Sequence, residues 1–240
     1  MVKVKEKIIK NSKKRIEDTK KIIDETRKKI NAIEYEPHWY RRVFHAFGAS
    51  FLFYYVLPDL DWINFLKFWL PLVVLIILVI LEILRLTGKV SSDHFFGLRM
   101  YEQKRVGSYL FFAVAIIFLL LFFPQQIAIP CILCACLGDP IIGELRHRLN
   151  KNYAYVTGLI LCMFFFMVTW YSVDVWLMIL VSFVGGIGAI IGEVKKFWWL
   201  DDDFMIQILP SILLLIIWFG MSYWDMSHPN IVIYPAVWPL

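Results

Sequence analysis

Apolar residues dominate seven stretches of the chain, centred near 43–57, 68–84, 108–123, 127–137, 154–171, 175–192 and 204–222. Several reach the ~20 residues that a helix needs to cross the hydrocarbon core of a bilayer. The stretches at 43–57 and 127–137 are short, and the second reads as re-entrant. The pattern predicts an all-α, polytopic integral membrane protein of about seven transmembrane helices over residues 36–225. A cytoplasmic segment, 1–35, precedes it, and a short tail, 226–240, follows on the other side.

The first 35 residues carry a different pattern. Val2, Ile9, Ile16, Ile23 and Ile30 recur every seven residues, with Ser12, Thr19, Thr26 and Ile33 at the companion positions. This spacing makes one apolar stripe on a helix roughly 45–50 Å long, at ~1.5 Å per residue. The polar companions weaken an autonomous coiled coil. Three readings stay open: a helix packed on the protein's own cytoplasmic loops, a self-associating pair that makes a homodimer, or a helix lying on membrane lipids.

The remaining punctuation is sparse. Pro58 with Asp59 to Asp61 forms an external turn, and Pro124 breaks the chain before the short run. Gly138, Asp139 and Pro140 read as its end, because proline cannot comfortably continue a helix. Gly185, Gly186, Gly188 and Gly192 mark a face that permits close helix contact. Pro210 is expected to kink the last span.

Charge orients these elements. Of the 25 Lys and Arg residues, 24 fall in the N-terminal segment or in alternate linkers, and Lys67, at a helix mouth, is the exception. This positive-inside bias puts the N-terminus in the cytoplasm and the C-terminus on the opposite side. The net charge of +5 belongs to that face and is not a nucleic-acid footprint. Hydrophobic residues make up 60% of the chain and the mean hydropathy is +0.64, more apolar surface than a soluble domain of this length hides. Cys131, Cys134, Cys136 and Cys162 lie in apolar runs and read as small core residues. A metal or redox role for the C-x-x-C pair is the alternative.

Ionisable residues bordering apolar runs are costly and are functional candidates by default. Five clusters fall on the predicted cytoplasmic side: Arg41, Arg42 and His45; Arg99 and Glu102; Gly138 and Asp139 with Glu144, Arg146, His147 and Arg148; Glu193; and Asp201, Asp202 and Asp203. Carboxylates near Arg and Lys suit a divalent ion that bridges polyphosphate oxygens, with the cations offsetting charge during phosphoryl transfer. Structural readings stand beside these. Arg41 and Arg42 are also stop-transfer charges, and His45 a hydrogen-bonded core residue. Asp201–Asp203 also suit the N-terminus of the last helix, and Glu193 also suits a bridge to Lys195 or Lys196. A P-loop and the lipase and zinc-protease motifs are absent.

Taken in order, the clusters resemble a known family, the CTP-dependent lipid kinases that include dolichol kinase, phytol kinase and the CTP-using diacylglycerol kinase. These are related in fold to phosphatidate cytidylyltransferases. R-R-V-F-H at 41–45 resembles the family's opening motif. L-R-M-Y-E at 98–102 with V-G-S-Y-L-F-F at 106–112 resembles its Arg–Glu–Gly segment, and L-F-F-P at 121–124 the end of the following span. L-G-D at 137–139 is similar to its Gly-Asp, and G-E at 192–193 with D-D-D-F-M-I at 201–206 to its closing motif. The K-S-x-E-G-like segment is missing, and Asp203 replaces an Asn.

The resemblance implies an enzyme that moves the γ-phosphoryl group of CTP to the hydroxyl of a long-chain lipid alcohol, polyisoprenoid or glycerolipid. It implies Mg2+ held by Asp139 with Asp201, Asp202 and Asp203. Nucleotide phosphates would be met by Arg42, Arg99, Gly138, Arg146, Arg148 and Lys196. Asp139 would share the chemistry with Glu102, Glu193 or His45, one of which orients the hydroxyl. Cytidylyl transfer to a lipid phosphate is the alternative enzyme reading. A transporter or scaffold is the non-enzymatic one, and it calls for ionisable groups near mid-membrane.

Overall fold

The computed structural model describes residues 42–91, 95, 98, 100–194 and 200–233. The heptad segment with its three readings lies outside the described residues, as do Arg41, Arg99, Lys195 and Lys196. The described part is all-α, and five of its helices are long and apolar enough to cross a membrane. They are α1 (Asp61–Leu86), α3 (Gln125–Arg148), α4 (Lys151–Thr169), α5 (Val175–Val194) and α6 (Asp202–Tyr223). A shorter apolar helix, α2 (Ser108–Phe122), stands between the first two.

The expectation of seven spans is corrected at two places. The stretch near 43–57 forms no long helix. It is helical over 42–48, tightens into a 3-10 turn at Ala49–Leu52, and closes with one α-turn at Phe53–Val56. Pro58 then stops it, since the residue before proline is pushed out of the helical region. The stretch at 108–123 is helical, but its 15 residues cover only ~22 Å, short of a ~30 Å hydrocarbon core.

The third correction concerns the run at 127–137. It is neither re-entrant nor terminated at Gly138. The chain widens into a π-turn over Cys134–Gly138 and continues as helix from Asp139 to Arg148, giving α3 its 24 residues. Pro140 is tolerated because it sits at the first turn of the renewed helix, where its missing N–H costs least. Pro130, further back, has no N–H for the Gln126 carbonyl, and the Trp170 indole N–H fills that acceptor at 2.9 Å. α6 likewise runs unbroken through Pro210.

α3 forms the centre of the bundle. Ile127, Ala128, Cys131, Ile132, Cys134, Ala135 and Cys136 are fully buried among α2, α4 and α6. All four cysteines are free thiols inside this apolar cluster. α5 packs between α4 and α6, and its glycines make this possible. A Cβ on Gly185 would meet the Phe166 ring at 2.7 Å, and one on Gly188 the Pro210 Cα at 3.0 Å. α1 lies at the periphery, with Phe65, Trp69, Val73, Ile76, Ile80 and Ile83 exposed. It ends at Gly88, whose φ of +74° is the left-handed cap that glycine adopts without strain.

Hydrogen bonds define the two ends of the bundle. At one end a strap after α6 is tied down. The Gln126 amide donates to the carbonyls of Pro229 and Asn230, the Asn230 N–H donates to Ser172 Oγ at 2.8 Å, and the Ile233 N–H to Gln125 Oε1 at 2.7 Å. The other end gathers His45, Asp139, Glu193, Asp202 and Asp203.

Candidate functional site

The site is built where the leading segment, the π-turn of α3 and the start of α6 meet. His45 is buried with its ring stacked on Phe112 of α2, centroids 4.6 Å apart. It presents one ring nitrogen to each of two carboxylates. Nδ1 lies 3.3 Å from Asp139 Oδ2, and Nε2 lies 3.7 Å from Asp203 Oδ1. Local structure explains how the three converge. The π-turn delivers Asp139 about 21 Å from Gln125 along α3, and a helix with such a bulge re-aims the residues after it. α6 begins at Asp202, so Asp203 projects from its first turn. Gln207, one turn further, is fully buried and donates to the Asp203 carbonyl at 2.8 Å.

Glu193 enters from the end of α5. Its side chain is 1% exposed and Oε1 accepts from the Arg146 guanidinium at 3.2 Å. The same carboxyl hydrogen-bonds with the Asp139 side chain and faces that of Asp202. Gly192 lets it come this close: a Cβ there would lie 2.5 Å from the Met205 carbonyl oxygen of α6. Arg146 also reaches the Tyr155 hydroxyl at 3.3 Å and feels the Asp139 charge. Beyond it, Glu144 pairs with both Arg42 and Arg148 in a more exposed ladder.

The other expected residues are placed as follows. Gly138 is buried in the π-turn, next in the chain to Asp139. Asp201 is the N-cap of α6, its Oδ1 accepting from the Asp202 N–H at 3.1 Å, which is the structural role weighed for it. Asp202 is buried in the first turn. Glu102 is buried in a 3-10 turn, Met100–Lys104, that leads towards α2. Arg99 and Lys196 lie outside the described residues.

One polar network escapes a reading of the sequence. Glu82 and Arg85 belong to the last turns of α1 and are both buried. Arg85 forms a two-pronged pair with Glu82, at 2.7 Å through each nitrogen. The same guanidinium donates to the carbonyls of Glu102, Gln103 and Arg105. Glu82 in turn accepts from the Gly107 N–H at 2.6 Å and from the Tyr109 hydroxyl. The pair therefore holds the whole 102–109 segment, including Glu102 and the start of α2. The i, i+3 spacing of a Glu and an Arg at the end of an apolar run was its only signal, and that signal is common on helices.

The donor set suits a divalent cation. His45, Asp139 and Asp203 each offer one atom, and these atoms all lie within 4.8 Å of one another. Asp201, Asp202 and Asp203 form a second such group, though Asp201 is engaged as a cap. No protein family, curated protein or solved structure matches this chain.

Proposed function

We propose that the chain is an integral membrane enzyme that transfers the γ-phosphoryl group of CTP to the hydroxyl of a long-chain lipid alcohol, a polyisoprenoid or glycerolipid. The observation that carries this reading is the convergence of His45, Asp139, Glu193, Asp202 and Asp203 with Arg146 at one end of an apolar bundle. The ordered motifs that resemble CTP-dependent lipid kinases support the choice of reaction. The basic linkers support a cytoplasmic face for this end.

In this reading His45, Asp139 and Asp203 hold a divalent ion, Mg2+ in the family that the motifs resemble. Such an ion supplies charge neutralisation at the phosphate oxygens. Arg42 and Arg148, on the more exposed side, attract the nucleotide's phosphates, and Arg146 draws the transferred group towards Glu193. A carboxylate of the cluster accepts the proton of the lipid hydroxyl, whose oxygen attacks the γ-phosphorus. The bond from that phosphorus to the β–γ bridging oxygen breaks, and CDP leaves. Phe112 and the apolar walls of α2 and α6 keep water from competing for the phosphoryl group. The alcohol's tail lies in the surrounding bilayer, so only its head has to enter the site.

Purified protein incubated with CTP or ATP labelled in the γ-phosphate, against a panel of lipid alcohols and lipid phosphates, tests the reading. Label appearing in a lipid alcohol supports it. Pyrophosphate release with lipid phosphates instead establishes cytidylyl transfer, and no reaction with any pair sinks both.

A further inference from the structure

We infer that the His45–Asp139–Asp203 centre is a mixed nitrogen–oxygen site that binds a first-row transition-metal ion such as Mn2+ more tightly than Mg2+, with the His45 imidazole as a direct ligand. The inference rests on reading the site as a cation centre, but not on the identity of the phosphoryl donor or acceptor.

Three observations lead to it. First, the imidazole is not a bystander. It is held between two carboxylates on different helices, at 3.3 and 3.7 Å, and its plane is fixed by the Phe112 ring. One nitrogen faces each acid, so an ion at either nitrogen has a carboxylate beside it while the other carboxylate orients the ring. Second, the donor atoms already lie within 4.8 Å of one another, so a central ion needs only small side-chain adjustments. Third, the buried Glu193 carboxyl is crowded against those of Asp139 and Asp202, so three acids meet at the centre with Arg146 the cation paired with Glu193. Buried acids crowded together repel one another, and a cation among them removes that cost.

The chemistry of the set then selects the ion. Mg2+ is hard, demands oxygen ligands and gives up water reluctantly. Imidazole suits transition-metal ions, and for mixed N/O sites affinity rises along the first-row series from Mn2+ towards Cu2+. An imidazole set among carboxylates therefore favours Mn2+ and its neighbours over Mg2+.

The test uses the full chain in detergent, stripped with chelator and free of nucleotide. Competition titration with MnCl2 and MgCl2 is expected to show Mn2+ bound tighter by on the order of tenfold or more. Pulsed electron paramagnetic resonance of the Mn2+ form is expected to show coupling to a nitrogen nucleus. His45→Gln is expected to remove that coupling and narrow the Mn2+/Mg2+ preference, and Asp139→Asn to weaken both ions. Equal affinities, or bound Mn2+ without nitrogen coupling, overturn the inference, and the wild-type spectrum decides even where His45→Gln fails to fold. Nitrogen-coupled Mn2+ in a protein that phosphorylates no lipid alcohol upholds the centre and overturns only the proposed reaction.

Discussion

Gly192→Ala is the most economical perturbation of this site, because it changes no charge. The added methyl carbon would lie 2.5 Å from the Met205 carbonyl oxygen, 2.6 Å from its carbon and 2.7 Å from the Ile206 nitrogen. Ordinary contact begins at 3.4 Å, a shortfall of about 0.9 Å. Every atom it meets is helix backbone, so no side chain can swing away. α5 and α6 must separate by most of that distance. Overpacking of this kind costs about 1–3 kcal/mol, offset by about 1 kcal/mol because alanine favours the helix over glycine. Net destabilisation is therefore small, about 0–2 kcal/mol on those two figures.

The effect on turnover is expected to be much larger. Glu193 is the next residue on α5, and Asp202 and Asp203 lie within one turn of Met205 on α6. A misplacement near 1 Å between reacting groups costs on the order of 100-fold. Gly143→Ala is the control, since a Cβ there meets nothing within 4 Å. The assay pairs thermal unfolding in detergent with turnover of a lipid alcohol. Gly192→Ala is expected to melt close to wild type and to turn over on the order of 100 times more slowly, while Gly143→Ala matches or exceeds wild type in both. Turnover of Gly192→Ala within twofold of wild type would refute the claim that the α5–α6 contact sets the site.

Asp139→Asn and Asp203→Asn should each abolish turnover while leaving the unfolding midpoint near wild type. Asp201→Ala should retain turnover and lose about 1 kcal/mol of stability as an N-cap. Glu82→Ala leaves Arg85 buried without its counter-charge, a loss of about 3–5 kcal/mol, seen as faster tryptic cleavage at Lys104 and Arg105. Cleavage at the wild-type rate would show that the pair does not hold the segment. Single engineered cysteines near Lys14 and Ser227 should be labelled from opposite sides of sealed vesicles; labelling from one side would discard the predicted orientation.

Among the described residues hydropathy marked the place of each long helix, though it read α3 as a short run. It did not resolve where helices shorten or widen. Gly138-Asp139-Pro140 reads as a stop from local chemistry, yet the π-turn admits all three residues and carries α3 onward. The glycines of α5 were legible as a contact face, but which helix each one meets depends on the fold. The acids were legible as rare charges beside apolar runs. Their convergence joins residues 45, 139, 193 and 203, and no local pattern encodes such separations. Asp201 and Asp203 look equivalent in sequence, and only the start of α6 makes Asp201 the cap and puts Asp203 beside His45. Glu82 and Arg85 were invisible because their partners are mostly backbone atoms.

The choice between an enzyme and a conduit turns on what lies behind the site. A transport path needs polar groups at mid-membrane and access to both ends. Below Asp139, α3 presents Ala135, Cys134, Ile132, Cys131, Ala128 and Ile127, all fully buried and apolar. At ~1.5 Å per residue this plug is roughly 15 Å deep. At the far end Gln125 and Gln126 are occupied by the strap of residues 229–233. Among the described residues, the more exposed side chains beyond His45, Asp139 and Asp203 are Arg146 and the ladder of Arg42, Glu144 and Arg148. On the α3 side this suits a site that takes substrate from one face, while the buried Gln207 and Ser211 carry the polar lining further along α6. Proteoliposomes loaded with a Mn2+-sensitive dye should therefore show no protein-dependent Mn2+ entry, while lipid phosphorylation proceeds when nucleotide is supplied to the face bearing Arg146. Mn2+ entry that is lost with Asp139→Asn would mean that the packed segment opens, and the site would then be one stage of a transport cycle.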